Sequence, residues 1–462
     1  MKRLYFVMMV FTAAVAVTSC NKKDDILDVN LEEYNYDDFE AKAIDEYIYN
    51  NLTKPYNIEV VYRFDRSHTD VSKNISPPDI NKIEPAVNMV RDGFLKIYEK
   101  VGGPTFIKTY TPKQFVLFGS HAYNSNGSVT LGTADGGRRV VLYDINNINA
   151  SNSDNIKRRL RTIHHEFTHI VNQVVAIPPS FRIVTTDYVP DWLASSNTDA
   201  EALSLGFISP YSRSSFGEDF AETVAHLLVE GQAFYDKRIA ASTPEGAAKL
   251  RAKQAIVEEY YKQYFNINFK ELQYETYLAL SQIYNDQSQT LYGALTSNSV
   301  NTITLDLDNA SHYVTYGISP TFKKAWDDAK VGLAAYGNNG GRYPTNIVMV
   351  YKNQAEFQLQ VTYRNPSNPT AIFYAYYDYS IQNIDGETKF TFVPSTSTET
   401  AYGNGRTIQA AIKPLLDYFT LYTFKAQWVS PDIVGIGNAM KFAGYYESGN
   451  EENNFYGPVT LK

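Results

Sequence analysis

Ile156, Leu160, Ile163, Phe167, Ile170, Val171 and Val174 recur at i, i+4, i+7, i+11, i+14, i+15 and i+18, and no other segment narrows the fold of this chain so far. A continuous apolar stripe at that spacing predicts a helix with one buried face. Ser151-Asn152-Ser153-Asp154 supplies N-cap candidates, and Pro178-Pro179 ends the run. The same helix carries His164-His165-Glu166-Phe167-Thr168-His169, three of the chain's 7 histidines within six residues. Helical residues four apart lie on one face, about 6 Å from each other, so His165 and His169 can reach one metal ion. Glu166 projects toward the open coordination position, where it can take a proton from a metal-activated water and pass it to a leaving amine. The plain alternative is a pair of surface histidines on an ordinary helix. His164 points about 100° away from His165 and is expected to be packed or hydrogen-bonded.

A single Cys among 462 residues excludes a multi-cysteine metal cluster and a disulfide framework, so any metal must be held by His and carboxylate. Zinc catalysis normally takes a third protein ligand. The metzincin pattern needs Gly at 172 and His at 175, and this chain has Asn172 and Val175. The gluzincin alternative takes a Glu from a downstream helix. Phe216 to Leu228 repeats the helical stripe and contains Glu218-Asp219-Phe220-Ala221-Glu222. Glu218 and Glu222 share one helical face and could exchange roles.

The stretch Gly217-Glu218-Asp219-Phe220-Ala221-Glu222-Thr223 resembles the third-ligand helix of gluzincins related to lethal-factor-type peptidases. The resemblance implies Glu218 as third zinc ligand and Glu222 as the acid that orients a ligand histidine. It also implies Tyr211, seven residues before Glu218, as donor to the oxyanion formed at the scissile carbonyl. His226 lies on roughly the same face and could support a ligand side chain; a solvated or core histidine is the favoured expectation. Arg139–Tyr143 reads as an edge strand ahead of the zinc helix, as in zincin peptidases, where substrate backbone pairs with such a strand.

The N-terminus has Lys2-Arg3 followed by an apolar run from Leu4 to Val17, too short for a permanent membrane span. Val17-Thr18-Ser19-Cys20 resembles a bacterial lipobox, which implies a signal peptide over 1–19, cleavage before Cys20 and lipidation of that residue. Asn21-Lys22-Lys23-Asp24-Asp25 opens a polar tether over 20–30. It is similar to the export signal that sends lipoproteins of some Gram-negative bacteria to the outer face of the outer membrane.

Further helices are expected over about Tyr34–Asn51, over Asn81–Lys100 with a stop at Gly102-Gly103-Pro104, and from a capping box at Ser242–Glu245 to about Tyr264. Residues 286–301 turn polar and aperiodic, and beyond them the alternation changes to period two. Strands are expected at Thr302–Leu307, Ile347–Tyr351, Glu356–Tyr363, Ile372–Ile381 and Lys389–Val393, with helices near Pro320–Tyr336 and Thr407–Phe419. The expected fold class is therefore α+β. A zincin-like domain over 31–286, mostly helical with a small mixed sheet, is followed by a linker at 287–301 and an α+β domain with an antiparallel sheet over 302–462.

From the lipobox to about Asp286 the chain resembles the substrate-import-associated zinc metallohydrolase lipoproteins. That resemblance implies outer-membrane localisation and a peptidase-like site, and leaves the substrate open. It also implies a place beside a TonB-dependent receptor and its SusD-like lipoprotein partner. The leading reading is a surface-anchored peptidase with one Zn2+ ion, acting on peptides or peptide-containing substrates. The alternative is a non-catalytic substrate-binding or transporter-docking lipoprotein that works through its aromatic-rich C-terminal domain, where Phe373–Tyr379 could line a sugar or peptide platform. A net charge of −8 argues against nucleic acid as partner.

Overall fold

The computed structural model describes residues 41–337 and 341–462. The expected signal peptide over 1–19, the expected lipidation site Cys20 and the expected tether over 20–30 lie outside the described residues. The described residues fall into two units, 41–46 and 47–462. In the first, residues 43–46 are helical and the Lys42 backbone N–H donates to Asp45 Oδ2 at 2.9 Å.

In the second unit, the helix expected over Asn81–Lys100 forms as α1 (Ile83–Val90), a π-type turn at Arg91–Leu95, and α2 (Lys96–Tyr110). The expected stop at Gly102-Gly103-Pro104 is a kink instead. Gly103 adopts φ 80°, and Pro104, whose fixed φ suits a first helical turn, restarts the helix.

Six short strands follow the same chain: β1 (Glu59–Val61), β2 (Gln114–Leu117), β3 (Ala122–Tyr123), β4 (Val129–Thr130), β5 (Gly132–Asp135) and β6 (Arg139–Leu142). Four of them make a mixed sheet in the order β1-β2-β6-β5. The first three are parallel and β5 is antiparallel to β6. The strand expected at the edge, β6, is thus interior, and β1 and β5 are the edges. Gly136 and Gly137, both at positive φ, make the tight turn that folds β5 back outside β6.

Against this sheet lies α3 (Ser153–Val174), capped by Asn152, whose side chain accepts from the Asn155 N–H. It buries Ile156, Leu160, Ile163, Phe167, Ile170 and Val171; Val174, the last residue of the predicted stripe, is exposed. Phe167 packs edge-on against Phe94 and Tyr98, each at 4.9 Å between ring centres. A Cβ at Gly132 would stand 2.6 Å from Thr162 Cγ2, so only a glycine lets β5 lie this close to α3. Next come α4 (Phe216–Val229) and α5 (Pro244–Phe265). Thr243, inside the predicted capping box, is the N-cap of α5 and accepts from the Gly246 N–H at 3.1 Å.

The C-terminal half is an antiparallel sheet, as its period-two pattern predicts, closed into an eight-stranded barrel. Its strands are β7 (Val300–Leu305), β8 (Tyr343–Asn353), β9 (Glu356–Asn365), β10 (Asn368–Ile384), β11 (Glu387–Val393), β12 (Thr423–Trp428), β13 (Phe442–Glu447) and β14 (Asn450–Leu461). Closure comes from β14 pairing with β7. α6 (Pro320–Ala335), α7 (Thr400–Ile408) and α8 (Lys413–Leu421) pack on the barrel. The single helix expected near Thr407–Phe419 is two helices, because Ile412 leaves helical geometry and Pro414 opens a new first turn.

The chain has 37 tyrosines, and part of the reason lies in this half. Tyr377, Tyr379 and Tyr456 keep their rings in or against the core and send their hydroxyls to the Gly405, Leu416 and Gly317 carbonyls. Alternation along β10 buries Ala375, Tyr377 and Tyr379 and leaves Tyr374 exposed, which halves the aromatic platform that the sequence suggests.

Candidate metal centre

Two helices bring the site together. On α3 the i, i+4 spacing puts His165 and His169 on one face. On α4 the N-cap Ser215 accepts from the Glu218 N–H, which sets Glu218 in the first helical turn. Glu218 Oε2 lies 2.9 Å from His165 Nε2 and 3.2 Å from His169 Nε2, and the two ring nitrogens are 3.1 Å apart. One ligand atom from each of the three residues falls within 4.8 Å of the others. Two imidazole nitrogens and one carboxylate oxygen converging on one point match the donor set of a catalytic zinc site. His165 is buried, whereas His169 and Glu218 are partly exposed, so the cluster opens on one side.

Behind it, Glu222 Oε1 meets His165 Nδ1 at 3.0 Å, while its other oxygen accepts from the Ser209 hydroxyl at 2.8 Å. Burial works against the Glu222 carboxylate, but the charge of His226, then the hydrogen bond and charge of His165 and the hydrogen bond from Ser209, outweigh it and hold its pKa at about 2. An ionised carboxylate only accepts, so Nδ1 of His165 carries the proton, and Nε2 turns toward Glu218 and His169. Burial also disfavours a charged His165, yet hydrogen bonds to Glu218 and Glu222 bring its pKa to about 10. The pocket's negative field thus favours a cation at this point. The two histidines hold Glu218 well below the usual carboxylate range despite its burial.

Glu166 sits beside these groups, and burial raises its carboxyl, while His165, His169 and the Ala134 backbone N–H on β5 draw it down. Tyr211 opens the 3-10 turn Tyr211–Ser214, and its ring stacks on His165 with centres 5.9 Å apart. Burial and then the charge of Glu218, to which its hydroxyl hydrogen-bonds, push its pKa up. His165, Glu166, His169, Tyr211, Glu218 and Glu222 therefore form one cluster. His164 faces the core, with Nε2 3.2 Å from the Gly93 carbonyl and its pKa lowered by burial to about 4. His226 is buried, its Nδ1 2.9 Å from the Glu222 carbonyl, which fits the expected core histidine.

Sequence reasoning missed a buried ion pair next to Glu218. Asp219 and Lys253 are both fully buried, with Nζ 2.6 Å from Oδ2, and Lys253 also donates to the Gly206 carbonyl at 2.7 Å. Tyr188 donates to the same Asp219 oxygen at 3.0 Å and Thr185 at 3.3 Å, which ties the segment after α3 to α4. A signal was available: Leu250, Lys253, Val257 and Tyr260 follow at i, i+3, i+7 and i+10, so Lys253 belongs to the buried stripe of α5. Asp219→Ala, which leaves the ammonium buried and unpaired, is expected to cost about 3–5 kcal/mol in urea unfolding. Adding Lys253→Met should recover most of that loss; no recovery would mean that the pair's geometry, and not charge burial, sets the cost.

A family model described as "putative zinc-binding metallo-peptidase" matches residues 37–270, which include every residue of this cluster. A crystal structure of a "putative zinc-binding metallo-peptidase" from Bacteroides caccae ATCC 43185 is 29% identical over 54% of this chain and 97% of its own, with a TM-score of 0.46. No curated protein matches the chain.

Proposed function

The chain belongs to the zinc-binding metallo-peptidase family, and on that footing we propose that it is a surface-anchored, zinc-dependent peptidase that cleaves peptides or peptide-containing substrates. The observation that carries the reading is the convergence of His165, His169 and Glu218 within 4.8 Å, with Glu166 on the same helix. These three residues would hold one zinc ion. A zinc ion held by them would supply a Lewis acid and an activated water. Glu166 accepts the proton of the attacking water and returns it to the leaving nitrogen. Its raised carboxyl pKa suits both steps. Glu222 and Ser209 keep the proton on Nδ1 of His165, and Tyr211 donates its hydroxyl to the developing oxyanion.

The test is hydrolysis of a quenched peptide mixture by the purified mature chain before and after chelation. Activity should vanish with chelator and return with one equivalent of zinc; cleavage that survives metal removal would overturn the reading. Glu222→Ala, which removes the hydrogen-bond partner of His165 Nδ1, should weaken zinc binding about 10–100-fold, as read by competition with a chelator of known affinity.

Location and partners belong to the same proposal. Cleavage before Cys20 and its lipidation would anchor the protein in the outer membrane, facing outward, beside a TonB-dependent receptor and a SusD-like lipoprotein. The peptidase domain would span 31–286 and the second domain 302–462. Cys20→Ala should move the protein from the membrane to the soluble fraction, and co-purification of the receptor with the anchored protein would support the association.

A further inference from the structure

The segment joining α3 to α4 carries Trp192, and its placement has no role in the chemistry proposed above. Its indole stands edge-on to the Tyr211 ring, 5.0 Å between centres, and Tyr211 in turn stacks on His165. Trp192 is partly exposed, whereas the chain's other two tryptophans, Trp326 and Trp428, are buried at 0% and 9% exposure. The backbone beneath it is fixed. Asn197 donates from Nδ2 to the Trp192 carbonyl at 2.7 Å and to the Pro210 carbonyl at 3.0 Å, and Arg213 donates to Asn197 Oδ1 at 3.0 Å. The Val189 N–H donates to the Arg213 carbonyl at 2.7 Å. Upstream, Thr185 and Tyr188 are held by Asp219.

A large aromatic surface, held in advance on a pinned loop and left partly open to water, loses little order on binding and gains from covering its ring. We infer that Trp192 is a specificity-determining residue that receives a bulky apolar or aromatic side chain of the substrate, next to the bond cleaved at the His165–His169–Glu218 centre. The inference rests on the peptidase reading and adds the substrate class to it. Bracing of Tyr211 is the competing role, and it would act on all ligands alike.

Amino-acid hydroxamates separate the two, because a common chelating head binds the metal while the side chain varies. The zinc-loaded full chain is titrated with glycine, leucine and phenylalanine hydroxamate by calorimetry, with tryptophan emission followed in parallel. Phenylalanine hydroxamate should bind at least about 10-fold tighter than glycine hydroxamate and change the emission. Trp192→Ala should reduce that preference below about 3-fold while leaving glycine hydroxamate unchanged, and Trp192→Phe should restore it. Equal affinity for the three probes in the natural chain, or a uniform loss in Trp192→Ala, would overturn the inference. A natural chain that retains no zinc after loading, and therefore does not bind glycine hydroxamate, would instead remove the metal-site reading, and the subsite with it.

Discussion

Glu166→Gln is expected to leave zinc content and fold intact while peptide hydrolysis falls by about 10²–10⁴-fold, the range set by loss of a general acid–base group. Gln has nearly the same shape, and its amide oxygen can still accept from the Ala134 N–H of β5. What it cannot do is take a proton. Burial raises the Glu166 carboxyl and the two histidines lower it, so the group is set to exchange a proton with substrate. The rate and the zinc content per chain are to be measured on the same sample. Full activity in the variant would remove Glu166 from the mechanism. Loss of zinc together with activity would mean that the residue holds the metal and not the proton.

Glu218→Ala should lose the metal itself. It removes the one oxygen that faces both histidines, at 2.9 and 3.2 Å, and with it a carboxylate that stays ionised beside them. An affinity loss of at least about 100-fold is expected, the upper end of what loss of a supporting partner causes. The thermal transition of the variant should then no longer respond to chelator, since a ligand at 100 times its dissociation constant adds about 2.7 kcal/mol to the natural chain. Unchanged zinc would move the third ligand elsewhere, first to Glu222. The geometry argues against that exchange, because Glu222 faces Nδ1 of His165, the nitrogen turned away from His169 and Glu218.

Much of the site was legible because helical spacing is local. Once Ile156 to Val171 form one buried stripe, His165 and His169 must share a face and His164 must leave it. The resemblance of Glu218–Glu222 to a known helix supplied the second element, but the two acids were equivalent on a helical wheel. Only their contacts separate them. Lys253 was readable from its place in an apolar stripe, yet its partner was not, since nothing local ties α5 to the turn that holds Asp219.

Strand order was least accessible. By its place ahead of α3, as in zincins, β6 reads as an edge strand, whereas the Gly136-Gly137 turn adds β5 outside it. In the C-terminal half, the alternating strands β8 to β11 announce a sheet. β13 has four buried residues in succession and β14 begins with an Asn/Glu-rich run, so neither shows the period.

The sequence by itself determined a helix with two metal-facing histidines and a carboxylate between them, an acidic second helix, and an antiparallel C-terminal sheet, because each follows from periodicity within one segment. Only the tertiary structure decided which acid faces the metal position, that Asp219 meets Lys253, that Trp192 flanks Tyr211, and that β14 closes on β7. Each of these joins segments distant in the chain, and such pairings depend on packing and burial that no local pattern encodes.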